Sequence, residues 1–261
     1  MIENKENQIS TEDLEFLFSG QRKKSRSKNN ALSAIKYSAL FLLIALFTFV
    51  SINYQALYKE ISFWYHNNYK NELNNQNISP TITSNQNSSS NSSKNLPVFS
   101  DNHIYIPTIS IDAPIIWMVQ NNAEETGTAL QNGVIHLAGT ATPGTIGNVF
   151  ITGHSSNYAW APGKYKSVFA LLNKLSVGDV IYLKYHNSIF EYKVYEQTII
   201  KPSDTSVLDQ GDKSKLTVMT CTPVGTSLNR LIIKANQIYP DPKYNTNPTK
   251  NPPAQSLPEI R

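Results

Sequence analysis

Residues 37–58 (YSALFLLIALFTFVSINYQALY) carry no charge, and positions 39–50 are almost continuously apolar; no other feature limits this chain as strongly. Wound into a helix, 22 residues extend about 33 Å, enough for a hydrocarbon core of about 30 Å. A helix buried in a soluble core keeps a polar stripe, and this run has none. A cleavable secretory signal starts within the first few residues, whereas this run begins only at residue 37. The run is therefore read as an uncleaved signal anchor. Its flanks set the direction. Arg22, Lys23, Lys24, Arg26, Lys28 and Lys36 form an acid-free basic block just before it, and a mostly neutral stretch follows Lys59-Glu60. Basic flanks stay cytoplasmic, so residues 1–36 are expected inside the cell and 60–261 outside.

Charge excludes a further class. The chain holds 23 Lys/Arg and 19 Asp/Glu; residues 1–36 take seven and five of these, which leaves sixteen against fourteen downstream. With no broad basic surface available there, duplex or RNA binding is not expected. The single cysteine, Cys221, excludes an intramolecular disulfide framework and a cysteine zinc cluster.

Composition then marks the ends of the folded part. Residues 66–97 are dominated by Asn and Ser with almost no apolar content, so 59–97 is expected to form a flexible stalk. Residues 240–261 hold six prolines and few hydrophobics and are read as a disordered tail. What remains, 98–239, suits a single core. Its periodic segments are short and rich in β-branched and aromatic residues: 103–109, 111–118, 133–138, 147–154, 179–186, 188–200, 215–221 and 230–238. Turn residues separate them, among them Asn132-Gly133, Pro143-Gly144 and Val177-Gly178-Asp179, and His186-Asn187-Ser188 reads as a tight hairpin. Residues 167–175, with Val168, Leu171, Leu172 and Leu175 at helical spacing, are expected to be helical. Eight strands with one or two short helices predict an all-β fold, a closed barrel or a sandwich.

Chemistry concentrates at strand ends. Cys221 closes an apolar strand, shares its face with Thr217 and Met219, and precedes the breaker Thr222-Pro223. A lone cysteine is usually a small buried hydrophobe; a thiol becomes a nucleophile only as thiolate, beside a base or cation. His154 closes another strand and opens the polar loop Ser155-Ser156-Asn157. The other histidines suit catalysis less: His66 lies in the stalk, His103 near the domain start, His136 inside a strand and His186 at a turn. Arg230 leads into the last strand, nine residues after Cys221. If those strands are neighbours, its guanidinium returns beside the thiol and can bond a developing oxyanion through its planar fork.

TGHSS (152–156), TVMTC (217–221) and NRLIIKA (229–235) resemble the active-site signatures of the sortases, membrane-anchored cysteine transpeptidases of bacterial surfaces. IPTISIDAPI (106–115), GVIHLAGTATPGTIGNVFITGH (133–154) and LSVGDVIYLKY (175–185) extend the likeness in order over nearly all of 100–237. Val218 stands where the family's Thr-Leu-x-Thr-Cys motif has leucine, a swap that keeps a strand residue. The resemblance implies an eight-stranded sortase-like β-barrel behind the anchor. Cys221 would attack a threonine carbonyl in a Leu-Pro-x-Thr-Gly-like sorting signal and form a thioester. His154 would move the proton between the two amines, and Arg230 would hold the oxyanion or the substrate backbone. Thr220 and Thr222 are the further substrate or oxyanion contacts. The implied partners are secreted proteins bearing the signal, an amine acceptor of the cell wall or a surface protein, and the lipid bilayer through 37–58. No cofactor is expected, and Glu124, Glu125 and Asp112 are read as solvated surface rather than a calcium site. The lack of a second membrane helix downstream argues against the pilin-polymerising class, so a class D- or E-like enzyme is expected.

Two other classes compete. An L,D-transpeptidase carries its nucleophile in a Ser-His-Gly-Cys-x-Arg-like run, which Thr220-Cys221-Thr222 does not match. A membrane-tethered binding or adhesion module with an inert Cys221 is the alternative that stays open.

Overall fold

The computed structural model describes residues 11–76, 96–247 and 256–260. The chain divides into two units, Met1–Ser51 and Ile52–Arg261. In the first, helix α1 (Thr11–Gln76 in full) exposes Leu40, Phe41, Leu42, Leu43, Ile44 and Phe47. Its stretch Leu32–Tyr65 is long and apolar enough to cross a membrane, the one such helix among the described residues.

The second unit contains a closed barrel of eight strands. They are β1 (His103–Ile106), β2 (Ile111–Val119), β3 (Val134–Leu137), β4 (Asn148–Thr152), β5 (Val180–Tyr185), β6 (Ser188–Ile200), β7 (Lys215–Thr222) and β8 (Asn229–Tyr239). Around the barrel the order is β1-β2-β3-β4-β7-β8-β6-β5, and β5 closes onto β1. The pairs β2–β3 and β4–β7 are parallel and the rest antiparallel. Each expected strand is present with its ends moved by at most three residues. His186 and Asn187 both have positive φ (48° and 62°), as a tight β5–β6 turn between right-twisted strands requires.

Alternation sorts the side chains into two cores. Val149 and Ile151 of β4, Leu216 and Val218 of β7, and Leu231 and Ile233 of β8 fill the first, inside the barrel. Phe150, Met219, Cys221 and Ile232 of the same strands join a second cluster on the other face. A covered outer face explains why β3 and β4 are buried at every position, the polar His136, Asn148 and Thr152 included.

The structure corrects three expectations. Residues 167–175 form successive turns and a 3-10 helix at Leu172–Lys174 rather than an α-helix. Their amides bond three residues back, as in Ala170 to Ser167 and Lys174 to Leu171, while Phe169 N–H donates across to His154 O (2.9 Å). Val168, Leu171, Leu172 and Leu175 are nonetheless all buried, so the spacing marked a core face and not a helix type. Second, the helix continues through residues 59–76, read as stalk. Phe63 packs on the inner core, Lys59 Nζ donates to Ser167 O (2.7 Å) and Glu60 pairs with Lys174 (2.9 Å), so 59–63 have partners that an Asn/Ser tract lacks. Residues 77–95 of that stretch lie outside the described ones. Third, parts of 240–261 are ordered. Pro242–Tyr244 form a 3-10 turn, Thr145 bridges to Thr246, and residues 256–260 lie against the outer core; 248–255 and 261 are outside the described residues.

One α-helix lies outside the elements expected above. α2 (Ala123–Leu130) starts at Asn122, whose side chain accepts from Glu125 N–H (2.9 Å) while the Glu125 carboxylate takes Gln120 N–H (3.0 Å). Glu124 and Glu125 thus form its first turn, and Asp112 instead meets His103 Nδ1 at 2.6 Å.

Candidate active site

The barrel order places β7 between β4 and β8, so the strand of Cys221 runs between those leading to His154 and Arg230. On β8, Arg230 is the direct antiparallel partner of Cys221. On β4, the parallel register pairs Thr152 with Met219, and Gly153 N–H donates to Met219 O (3.3 Å), so the chain leading into His154 still runs beside the end of β7. The ends of β4 and β7 and the start of β8 thus lie side by side.

Several bonds fix that arrangement. Thr152 Oγ1 donates to Met219 O (3.0 Å), and Thr220 Oγ1 donates to Gly153 O (2.8 Å). The Thr220 hydroxyl, expected to contact substrate, is thus committed to the backbone just before His154 and ties β7 to the end of β4. Phe169 N–H holds the His154 carbonyl from the far side. Gly153 is required by space: a Cβ there would stand 2.9 Å from the Phe169 ring and 3.0 Å from Val134. The His154 ring has Asn157 Nδ2 at 3.4 Å from its Nε2.

All three groups are largely withdrawn from water: Cys221 is 2% exposed, Arg230 6% and His154 8%. Burial pushes the Cys221 thiol above its ordinary pKa, while the neighbouring Arg230 charge pulls the other way. Arg230 Nη1 donates to Ser227 O (3.0 Å) and Asn229 O (3.3 Å), and its buried Nε–H has no hydrogen-bond partner. A cleft of ≈ 420 Å³ borders the thiol, lined by Thr220, Cys221, Thr222, Pro223 and Phe169 with Leu57 and Glu60 of α1. A second of ≈ 320 Å³ borders Arg230 and residues 257–260. Thr222 is partly exposed at the mouth, opposite Asn229.

His136 differs in kind. It is fully buried, its Nε2–H donates to Ala141 O (2.8 Å), and its Nδ1 accepts from Met118 N–H (3.4 Å). Burial lowers its pKa to about 4, so it is a neutral structural imidazole.

A family model described as "Sortase domain" matches residues 104–238. Among curated proteins, Sortase D of Bacillus subtilis is 27% identical over 137 residues, which is 51% of this chain and 61% of the relative. Sortase SrtE1 of Streptomyces coelicolor is 27% identical over 160 residues, 56% of this chain and 42% of the relative. The match thus spans less than two thirds of either relative's length. Among solved structures, a Clostridium perfringens sortase D5 transpeptidase is 33% identical, with a TM-score of 0.43 over 52% of this chain and 77% of that one. A lid mutant of sortase A from Corynebacterium diphtheriae is 31% identical, with a TM-score of 0.45 over 54% and 71%.

Proposed function

The chain belongs to the sortase family, and from that premise we propose that it is a membrane-anchored cysteine transpeptidase of class D or E. It cleaves a Leu-Pro-x-Thr-Gly-like sorting signal and transfers the acyl group to a surface amine. The observation that carries this reading is the pairing of Cys221 with Arg230 across β7–β8, with β4, the strand that leads into His154, paired alongside β7.

In the reacting form the Cys221 proton is held on His154, and the Cys221 sulfur attacks the threonine carbonyl carbon as thiolate. The oxyanion that forms takes a bond from the Arg230 fork and from the Thr222 backbone N–H. His154 gives a proton to the departing amine, and collapse leaves a thioester on Cys221. The acceptor amine, deprotonated by His154, then attacks the thioester and releases Cys221. Thr220 acts through position, by holding the strand end that carries His154.

Secreted proteins bearing the signal and an amine acceptor of the wall or a surface protein are the partners. The apolar run 37–58 is the bilayer anchor, with 1–36 cytoplasmic and the barrel outside; its last residues, Leu57 among them, lie at the barrel rather than in hydrocarbon. The basic block at 22–36 supports that direction, and the curated relatives' names support class D or E. The alternative, a tethered binding module with an inert thiol, draws on the burial and raised pKa of Cys221. Incubating the full chain in detergent micelles with a Leu-Pro-x-Thr-Gly peptide library and trapping the acyl group with hydroxylamine separates the two: hydroxamate appears for an enzyme and not for a module.

A further inference from the structure

Residues 256–260 lie in extended form against the thiol. Leu257 and Ile260 are 8% and 2% exposed and belong to the outer cluster that also contains Cys221, Met219 and Ile232. Pro258 is buried, while Ser256 and Glu259 face solvent. At one end Asn121 Nδ2 donates to Ser256 O (2.8 Å) and to its Oγ (2.6 Å). At the other the Cys221 thiol donates to Ile260 O at 3.2 Å. Leu257, Pro258, Glu259 and Ile260 share a cleft with Arg230, whose buried Nε–H has no partner.

The residue order points to the same cleft independently. Leu257-Pro258-Glu259-Ile260 sets a leucine, a proline, an outward-facing residue and a β-branched residue in the order of Leu-Pro-x-Thr. The carbonyl that meets the thiol belongs to the fourth of them, the position attacked in the proposed reaction. We propose that residues 256–260 are an intramolecular ligand of the active site, a resident peptide in the signal-binding cleft that must leave before an external signal reaches Cys221. The identity of the displaced competitor rests on the transpeptidase reading; the contact itself does not.

The geometry is that of an occupant rather than a reacting substrate. An attacked carbonyl turns its carbon to the sulfur and its oxygen to separate donors. Here the thiol itself bonds the Ile260 oxygen, and Arg230 Nη1 is engaged by Ser227 O and Asn229 O. A segment held in the same chain competes at an effective concentration of about millimolar, so a signal of similar affinity enters only at comparable levels.

The test compares the full chain with a Leu257→Asp/Ile260→Asp variant, both in detergent micelles, by the rate at which iodoacetamide alkylates Cys221. Removing the resident peptide is expected to speed alkylation about 10-fold or more. The synthetic peptide Ser-Leu-Pro-Glu-Ile, added to the variant, is expected to slow it again in a saturable way. A rate that rises only because the variant has unfolded would not respond to the peptide, and that result overturns the proposal. Equal rates in the two proteins also overturn it. So does an intact mass showing loss of residue 261, since the segment would then be consumed as substrate. None of these measurements needs turnover, so a failure here is distinct from a failure of the transpeptidase reading.

Discussion

Cys221 and Arg230 face each other across the β7–β8 ladder as direct register partners, both buried, with one strand end carrying a thiol and the other a permanent cation. The cation offsets part of the cost of forming a thiolate there. Replacing Arg230 by Lys keeps the charge but loses the planar fork, and is expected to lower kcat by roughly 10²-fold. Replacing it by Met removes the charge too, so the pH dependence of Cys221 alkylation should shift upward. Wild-type turnover in Arg230→Lys would remove this residue from the mechanism.

His154 is assigned the proton transfers and not the making of the thiol. His154→Ala is therefore expected to leave a thiol that can still be alkylated, at a rate still limited by residues 256–260, while turnover falls by about 100-fold or more. A variant with near-normal turnover contradicts the assignment.

Gly153 has no room for a methyl group between the Phe169 ring and Val134. Gly153→Ala should cost about 1–3 kcal/mol of stability, as overpacking does. It should also lower turnover, because Phe169 holds the His154 carbonyl through its N–H. Denaturant midpoints and peptide cleavage rates measure the two effects, and an unchanged midpoint would refute the packing account.

Stability should depend on pH through His136. Its folded pKa of about 4 lies below the ordinary 6.5, so the unfolded chain binds the proton first. The contribution is whole above pH 6.5 and is lost as pH falls toward 4, a difference of about 3 kcal/mol in all. An imidazole titration near pH 4 by NMR, with an unfolding midpoint that drops between pH 6.5 and 4, is the expected result. Titration of His136 near 6.5 would contradict it.

The barrel was legible because each strand alternates and stops at a turn residue, as at His186-Asn187, where both residues take positive φ. Cys221, His154 and Arg230 stood out in the sequence as candidates because all three close or open strands. The pairing of Cys221 with Arg230 and the run of β4 beside β7 did not, since they depend on the order β4-β7-β8, which sequence separation does not encode. Helix α2 had a signal in Asn122 and Glu125, a capping pair, but Gly127 and few apolar residues obscured it. Residues 256–260 were lost in a proline-rich composition average; only the four-residue order Leu-Pro-Glu-Ile, taken alone, would have singled them out. The role of Thr220 was invisible for another reason. A hydroxyl beside a nucleophile looks like a substrate contact until its acceptor, Gly153 O, is known.

The central claim is that Cys221 carries the acyl group between two amines. The most direct measurement is the intact mass of the full chain after brief incubation with a Leu-Pro-x-Thr-Gly peptide, followed by proteolytic mapping of the modified residue. The expected result is an added mass equal to the peptide's Leu-Pro-x-Thr portion, located on Cys221, discharged by an added amine and absent from Cys221→Ala. Cleavage that persists in Cys221→Ala, or an acyl group mapped to any other residue, would contradict it.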